Sequence, residues 1–283
     1  MMTYNELYRQ TKQIFAQAGV ESPAFDAMCL LQHCFGLDRA GLILHGDTQV
    51  KQQEAAQFAA LADRRAKGEP LQYILGKWQF MDREFYVGKG VLIPREDTQA
   101  TVLQAEQAVQ GKPQAQIMDL CAGSGIIAIT LAKRLPGSRV WALELSEEAF
   151  FYLQKNISLH GTKNVTAVHG DIFKAFRDFA DESFDLLVSN PPYVCTETIA
   201  SLQREVLYEP FMALDGGADG LMFYRQIIEE WTPLLKHGGQ IAFEVGEEQA
   251  LPVKALLLQN GYTDVRFAKD IAQTDRCVSA IRV

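Results

Sequence analysis

The sequence predicts an α/β fold: a seven-stranded parallel sheet with helices on both faces, preceded by a small helical bundle and a β-hairpin connector. Three observations predict it. Apolar residues recur at helical spacing through the segment before Gly76; strand-like and helix-like segments alternate from Ile117 onward; and a glycine turn, Asp119-Leu120-Cys121-Ala122-Gly123-Ser124-Gly125, follows the first of those strands and opens a helix. The length of 283 residues fits a small domain joined to a larger one, and 48% hydrophobic with 22% charged residues is an ordinary globular balance.

In chain order, Tyr4, Leu7, Tyr8, Thr11, Ile14, Phe15 and Ala18 form one helical stripe that Gly19 closes. Phe25 to Phe35 gives a second helix after Pro23, and Gln52 to Arg65 a third with an apolar face of Ala55, Phe58, Ala59 and Ala62. Helices this short are marginal alone and must pack together. Between Trp78 and Ile93 the pattern changes to aromatic and β-branched residues around Asp82-Arg83-Glu84 and Gly88-Lys89-Gly90, which reads as a hairpin. A helix runs from Thr98 to about Gln110. Strands follow at Ile117 to Leu120, Arg139 to Leu143, Val165 to His169, Phe184 to Ser189, Gln240 to Val245, Tyr262 to Phe267 and Cys277 to Ile281. Helices fill the gaps at Ile126 to Arg134, Glu147 to His160, Leu221 to Leu235 and Glu248 to Asn260. In sheets of this kind ligands bind beyond the strand C-termini.

Charge and cysteine content narrow the function. Net charge is -8, with seven basic and eight acidic residues up to Gly76 and twenty against twenty-seven thereafter. Proteins that grip nucleic acid usually carry a basic surplus, so direct nucleic-acid binding is not expected. The longest uncharged stretch, Leu120 to Ala132, has 13 residues against the roughly 20 needed to span a bilayer, so no membrane partner is expected. The first residues carry Glu6, Arg9 and Lys12 and no apolar signal core, so secretion is not expected. Five cysteines without a C-x-x-C pair and five histidines without an H-x-x-x-H spacing argue for reduced thiols, a cytoplasmic location and no metal. A monomer is expected.

The motifs lie at strand ends. In the glycine turn, the helix N-terminus offers free N–H groups and the glycines admit a ligand that a Cβ would exclude; Ala128 stands where dinucleotide enzymes carry a third glycine, so the turn alone is weak evidence. The next strand ends in Glu144, 19 residues after Gly125, where a carboxylate can accept both hydroxyls of a ribose. The third strand ends in Gly170-Asp171-Ile172, where Asp171 can accept from an adenine amino group and Ile172 can cover the ring. Together the three tips describe an adenosine site. The fourth strand ends in Asn190-Pro191-Pro192-Tyr193. Two prolines offer no N–H, so the carbonyls there face the crevice as acceptors, Asn190 adds a side-chain carbonyl, and Tyr193 adds a flat aromatic face. Such a surface suits a planar NH2 group.

On these residues the chain resembles the Rossmann-like class I S-adenosylmethionine-dependent methyltransferases that modify planar nitrogen, and within them the PrmC/HemK family. That family methylates the side-chain amide of the glutamine in the Gly-Gly-Gln motif of peptide-chain release factors. The matching segments span nearly the whole chain: Gly68-Glu69-Pro70-Leu71-Gln72-Tyr73-Ile74-Leu75-Gly76, Leu92-Ile93-Pro94-Arg95, the glycine turn, Asn190 to Tyr193, Tyr208-Glu209-Pro210, Leu214-Asp215-Gly216-Gly217 and Asp219-Gly220-Leu221. The resemblance implies S-adenosylmethionine as cofactor, held by Cys121, Ala122, Gly123, Ser124, Gly125, Glu144, Asp171, Ile172 and Asn190. It implies a substrate amide held by Asn190, Pro191, Pro192 and Tyr193, with Asn190, Pro191 and Tyr193 catalytic. It further implies a division into a helical substrate-recognition domain (1–76), a hairpin connector (77–95) and the methyltransferase domain (96–283), with release factors as protein partners. Departures from the family pattern are Glu96 and Gln99 after Pro94-Arg95, Cys121-Ala122 where Gly-Thr is usual, and Glu144 for a more frequent Asp. A ribosomal-protein glutamine and an exocyclic base amine are the alternative substrates; the base would have to be flipped out and its phosphates gripped, against the net charge. Gly238-Gly239-Gln240 reads as the turn into the fifth strand.

Overall fold

The computed structural model describes residues 2–283, which form two compact units. The first comprises residues up to Lys77 together with Gln203–Tyr208. Its helices are α1 (Tyr4–Gln17), α2 (Pro23–Phe35), α3 (Arg39–His45), α4 (Gln52–Ala66) and α5 (Leu71–Leu75). Thr3 starts α1 with a capping box: its hydroxyl accepts the Glu6 N–H at 3.3 Å and the Glu6 carboxylate accepts the Thr3 N–H at 2.8 Å. Pro23 opens α2, where its missing N–H costs nothing, and Gly36 ends it in the left-handed region. Leu7, Phe15, Leu30, Leu31 and Phe58 make the core. Two short helices, α3 and α5, were not anticipated from periodicity; α3 is signalled locally by Asp38, whose carboxylate caps the Gly41 N–H at 2.7 Å. Buried Arg65 pairs with Asp26 at 2.6 Å and with Glu205 at 2.8 Å, and the Tyr208 hydroxyl donates to the Lys67 carbonyl at 3.0 Å, so residues 203–208 belong to this unit although residues 78–202 separate them from the rest of it in sequence.

The second unit starts at Trp78, within a two-stranded hairpin of β1 (Lys77–Phe80) and β2 (Arg83–Tyr86), whose turn is Met81-Asp82; Gly88-Lys89-Gly90 lies beyond it. There follow α6 (Thr98–Ala108), β3 (Gln116–Leu120), α7 (Ile126–Arg134), β4 (Arg139–Glu144), α8 (Glu147–His160), β5 (Val165–His169), β6 (Phe184–Ser189), α9 (Met222–Gln226), β7 (Leu235–Glu244), α10 (Ala250–Gln259), β8 (Tyr262–Lys269) and β9 (Asp275–Arg282). The seven strands from β3 on are ordered β5-β4-β3-β6-β7-β9-β8.

The first five are parallel, whereas β9 runs antiparallel to both β7 and β8, which corrects the expectation of an all-parallel sheet. Only residues 270–274 join β8 to β9, and a parallel pair needs a crossover of about a dozen residues or more. Alternation along β3 explains the two layers: Ile117 packs on one face with Val102, Ile129 and Leu131, while Met118 and Leu120 pack on the other with Tyr224, Trp231 and Leu257. The helix expected from Leu221 to Leu235 is broken instead. After α9 a wide turn (Ile227–Trp231) and a tight one (Thr232–Leu234) carry the chain, because Pro233 has no N–H to continue the ladder and the Thr232 hydroxyl bonds back to the Ile228 carbonyl at 2.5 Å. Strand β7 also starts earlier than expected: its pairing with β6 jumps from Phe184–Leu235 to Leu186–Gln240, so Gly238-Gly239 bulges out within the strand. Strand order reverses between β3 and β6, and that switch point opens the crevice beyond their C-terminal ends.

Candidate active site

A solvent-open crevice occupies this position. Leu120 and Ser189 end its two central strands, tied together by the Ser189 hydroxyl donating to the Leu120 carbonyl at 2.6 Å. From β3 the chain turns sharply into α7. Gly125 adopts φ +83°, a conformation strained for any residue with a side chain, and a Cβ there would also press on the tip of Leu153, 2.5 Å away at Cδ1. Cys121 adopts φ +60°, a left-handed conformation that costs a side-chain-bearing residue roughly 1–2 kcal/mol. Asp119, fully buried beneath the turn, accepts the Ala128 N–H at 2.9 Å and so pins the first turn of α7. Asn156 of α8 donates to the Ser124 carbonyl at 2.9 Å and exchanges hydrogen bonds with the Tyr86 backbone at 2.7 and 3.0 Å, bracing the turn from β2.

Glu144 stands at the tip of β4, nearly buried. One carboxylate oxygen accepts the Gly123 N–H and the other the Ser146 N–H, both at 2.8 Å. Each oxygen keeps a lone pair, so the group is fixed in place and still able to accept two hydroxyls. At the tip of β5, Ile172 is buried and its carbonyl accepts the indole N–H of fully buried Trp231 at 3.0 Å. Asp171 flanks it, its carboxylate accepting the Phe173 N–H at 3.0 Å.

Of the residues singled out in the sequence, Cys121, Ala122, Gly123, Ser124, Glu144, Asp171, Ile172, Asn190 and Pro192 line the crevice. Gly125, Pro191 and Tyr193 are set back from that wall. Gly125 acts by steric allowance and Pro191 is buried. Tyr193 packs against the core, and burial pushes its phenol well above the usual range. Its backbone is clamped: Gln249 Nε2 donates to the Tyr193 carbonyl at 2.8 Å and to the Gly220 carbonyl at 3.2 Å, while Gln249 Oε1 accepts the Gly246 N–H at 3.0 Å. Val194 and Gly216 pair across at 2.8 Å, and a Cβ on Gly216 would lie 2.7 Å from Tyr193 Cα. The Leu214-Asp215-Gly216-Gly217 segment is thus a backbone-to-backbone brace for the Asn190–Tyr193 turn.

Sequence reading missed part of the wall. The strap from Gly90 to Arg95, read as connector, lines the crevice, and Glu209 clamps it by accepting the Ile93 N–H at 2.9 Å and pairing with Arg95. The two segments had each matched the family motif, but nothing local in either says that they meet. Thr98 also lines the crevice, and its hydroxyl accepts from Asn190 Nδ2 at 3.4 Å. Gln99 is exposed.

Burial dominates the electrostatics. It pushes Asp119 up to about 8, with the nearby Glu144 adding to the effect against the Ala128 hydrogen bond, and it raises Glu144 as well. Burial, then Glu144 and Asp119, also raise the Cys121 thiol, which keeps it protonated and unsuited to nucleophilic work. A carboxyl whose folded-state pKa is raised contributes stability that is fully present below its unfolded value near 4 and is lost as pH rises through about 8. Asp119→Asn keeps the acceptor for Ala128 and removes the titration. The melting temperature of the wild-type protein is expected to fall more steeply between pH 5 and pH 8.5 than that of Asp119→Asn; parallel melting curves across that range would refute the assignment. Among the described residues no group of three or more His, Cys, Asp or Glu is placed to hold a metal ion, and no helix is long and apolar enough to cross a membrane.

Known proteins match this sequence over nearly all of its length. Residues 6–76 match the PrmC N-terminal domain and residues 95–269 the methyltransferase small domain. The release factor glutamine methyltransferase of Geobacter sulfurreducens is 41% identical over 98% of this chain and 95% of its own length. That of Clostridium botulinum is 36% identical over 99% of each. The chain belongs to the release factor glutamine methyltransferase family. Among solved structures, the hMettl16 catalytic domain in complex with MAT2A 3'UTR hairpin 1 superposes with a TM-score of 0.58 at 16% identity, covering 95% of this chain and 90% of that one. That likeness is one of fold alone. Family membership and fold agree with the resemblance read from the motifs.

Proposed function

We propose that this enzyme transfers a methyl group from S-adenosylmethionine to the side-chain amide nitrogen of the glutamine in the Gly-Gly-Gln motif of peptide-chain release factors, modulating translation termination in the cytoplasm. The observation that carries the reading is Asn190 on the crevice wall beyond β6, beside the glycine turn and Glu144, in a chain of this family. The residues fit the cofactor: the turn approaches without side-chain bulk, the Glu144 carboxylate has acceptor capacity to spare, and Asp171 and Ile172 offer an acceptor and an apolar cover. The cofactor supplies an electrophilic methyl group on a sulfonium sulfur.

The chain's own part is positional and electrostatic. An amide nitrogen is a poor nucleophile because its lone pair is delocalised into the carbonyl, so the site must aim it. Asn190 Nδ2 is directed to Thr98, which leaves Oδ1 as an acceptor for one substrate N–H; the other is assigned to the Pro191 carbonyl, on the peptide between the two lining residues Asn190 and Pro192 although the Pro191 ring itself is buried behind them. As the nitrogen attacks, positive charge builds on it, and both acceptors then interact more strongly than with the neutral amide, which is the condition for lowering the barrier. No general base is needed before transfer; the proton can leave to water afterwards. Tyr193 is assigned to shaping the amide pocket. Labelled methyl transfer to purified release factor, ribosomal protein and DNA tests the reading: label in the release factor supports it, and label only in the others contradicts it.

The helical unit is assigned to reading the protein substrate, because a pocket for an amide cannot choose one glutamine among many. Ile43 and Leu44 on α3 are 85% and 76% exposed. Since residues 203–208 are part of this unit, surface substitution is a cleaner probe than truncation near residue 75. Ile43→Glu with Leu44→Glu is expected to raise KM for the intact factor about tenfold, the equivalent of about 1.4 kcal/mol, and to leave KM for a short Gly-Gly-Gln peptide unchanged; equal effects on both would remove α3 from the recognition surface.

A further inference from the structure

Glu244, at the C-terminal end of β7, is 1% exposed and takes no part in the chemistry above. Its carboxylate lies against the Thr98 hydroxyl and the Asn190 amide, both of which favour its charged form, and its Oε2 has no hydrogen-bond partner. A buried acceptor left open beside a side-chain amide dictates which way that amide points. With Nδ2 inward, Asn190 donates to the Thr98 oxygen at 3.4 Å and turns its second N–H, rather than its carbonyl, to the side of the open carboxylate oxygen. With Oδ1 inward, a buried anion would face a carbonyl dipole, and the crevice would present an NH2 group to a substrate that needs acceptors.

We propose that Glu244, acting together with Thr98, is a positioning residue that locks the Asn190 side chain with Oδ1 toward the substrate amide. This rests on the assignment of Asn190 to substrate binding. The lock depends on charge. A protonated Glu244 can donate to Oδ1 and so favours the wrong amide orientation.

The titratable and charged groups that face it come from several elements: Arg276 and Cys277 on β9, Asp97 ahead of α6, Tyr193 after β6 and Tyr224 on α9. Of these Arg276 lowers and Asp97 raises its pKa, beside the Thr98 and Asn190 hydrogen-bonding groups that lower it. Burial outweighs the hydrogen bonds and Arg276, and pushes Glu244 up to about 7. The ionised, competent form therefore predominates above that pH.

Two readouts test the proposal on the full-length enzyme. Glu244→Leu is expected to lower kcat roughly 100-fold, the scale of a misplaced reacting group, with the cofactor dissociation constant unchanged. Glu244→Gln, which still offers an acceptor to Asn190 and cannot ionise, is expected to recover most of that kcat and to lose the wild-type rise in kcat through pH 7. Independently of activity, the 15N side-chain NH2 signals of Asn190 in the free wild-type enzyme are expected to shift with a midpoint near pH 7 and to stay constant in Glu244→Gln. Wild-type kcat in Glu244→Leu, or an Asn190 titration that persists in Glu244→Gln, overturns the lock. A wild-type enzyme whose Asn190 signals titrate as stated but which labels no release factor supports the lock and counts against the proposed function instead.

Discussion

Asn190→Ala is expected to lower the methyl-transfer rate by roughly 100- to 1000-fold, the loss found when one preorganised group facing developing charge is removed. Cofactor affinity is expected to be largely retained, because the glycine turn, Glu144 and Ile172 stand on other strands. The split follows from geometry. Asn190 reaches the crevice from the end of β6, where it is held by Thr98 of α6, whereas the ribose side of the crevice is built on β3, β4 and β5. Single-turnover rates together with calorimetric titration of the cofactor measure both halves. Normal turnover in Asn190→Ala would remove the residue from the mechanism.

Glu144→Ala is expected to act in the opposite sense, on the cofactor first. The substitution deletes the acceptor assigned to both ribose hydroxyls and frees the N–H groups of Gly123 and Ser146 that now define the turn. Hydrogen bonds to a charged group are worth about 1.5–3 kcal/mol each, so losing two such contacts weakens binding by at least about 3 kcal/mol, or about 100-fold. A dissociation constant for S-adenosylmethionine within twofold of wild type would show that the ribose is held elsewhere. The raised pKa of Glu144, caused chiefly by burial, adds a pH signature. Affinity is expected to fall on acidification earlier than it would for an ordinary carboxylate, and this limb is expected to be absent in Glu144→Ala.

The parts of this molecule that were legible before the structure are those whose meaning is local. Strand β5 and strand β6 begin and end at the expected residues, as do α7 and α8, because each is a run of unbroken strand or helix character, largely apolar in β6 and α7, bounded by glycine, proline or a polar turn. The strand tips were readable for the same reason: Glu144, Asp171 and Asn190 each follow a strand directly, and strand ends in a doubly wound sheet converge. What escaped depends on partners far away in sequence. Glu209 was part of a motif, but its bonds to Ile93 and Arg95 exist only in the folded chain. Gln249 and Asn156 look like ordinary helix polar residues until the backbone groups they satisfy are seen. The antiparallel β9 was missed because strand direction is decided by a short connection, and the broken helix after α9 because a proline near its end outweighed an apolar pattern that continues through it.

The central claim is that the crevice presents acceptors to a glutamine side-chain NH2 of a release factor. The most direct test incubates the enzyme with S-adenosylmethionine and an unmodified release factor, then locates the added mass by fragmentation of the peptide carrying the Gly-Gly-Gln motif. The account predicts a single methyl group on the side-chain nitrogen of that glutamine, absent when the Asn190→Ala enzyme is used. A methyl group at any other residue of the factor, or none on the factor and transfer to nucleic acid instead, would contradict it.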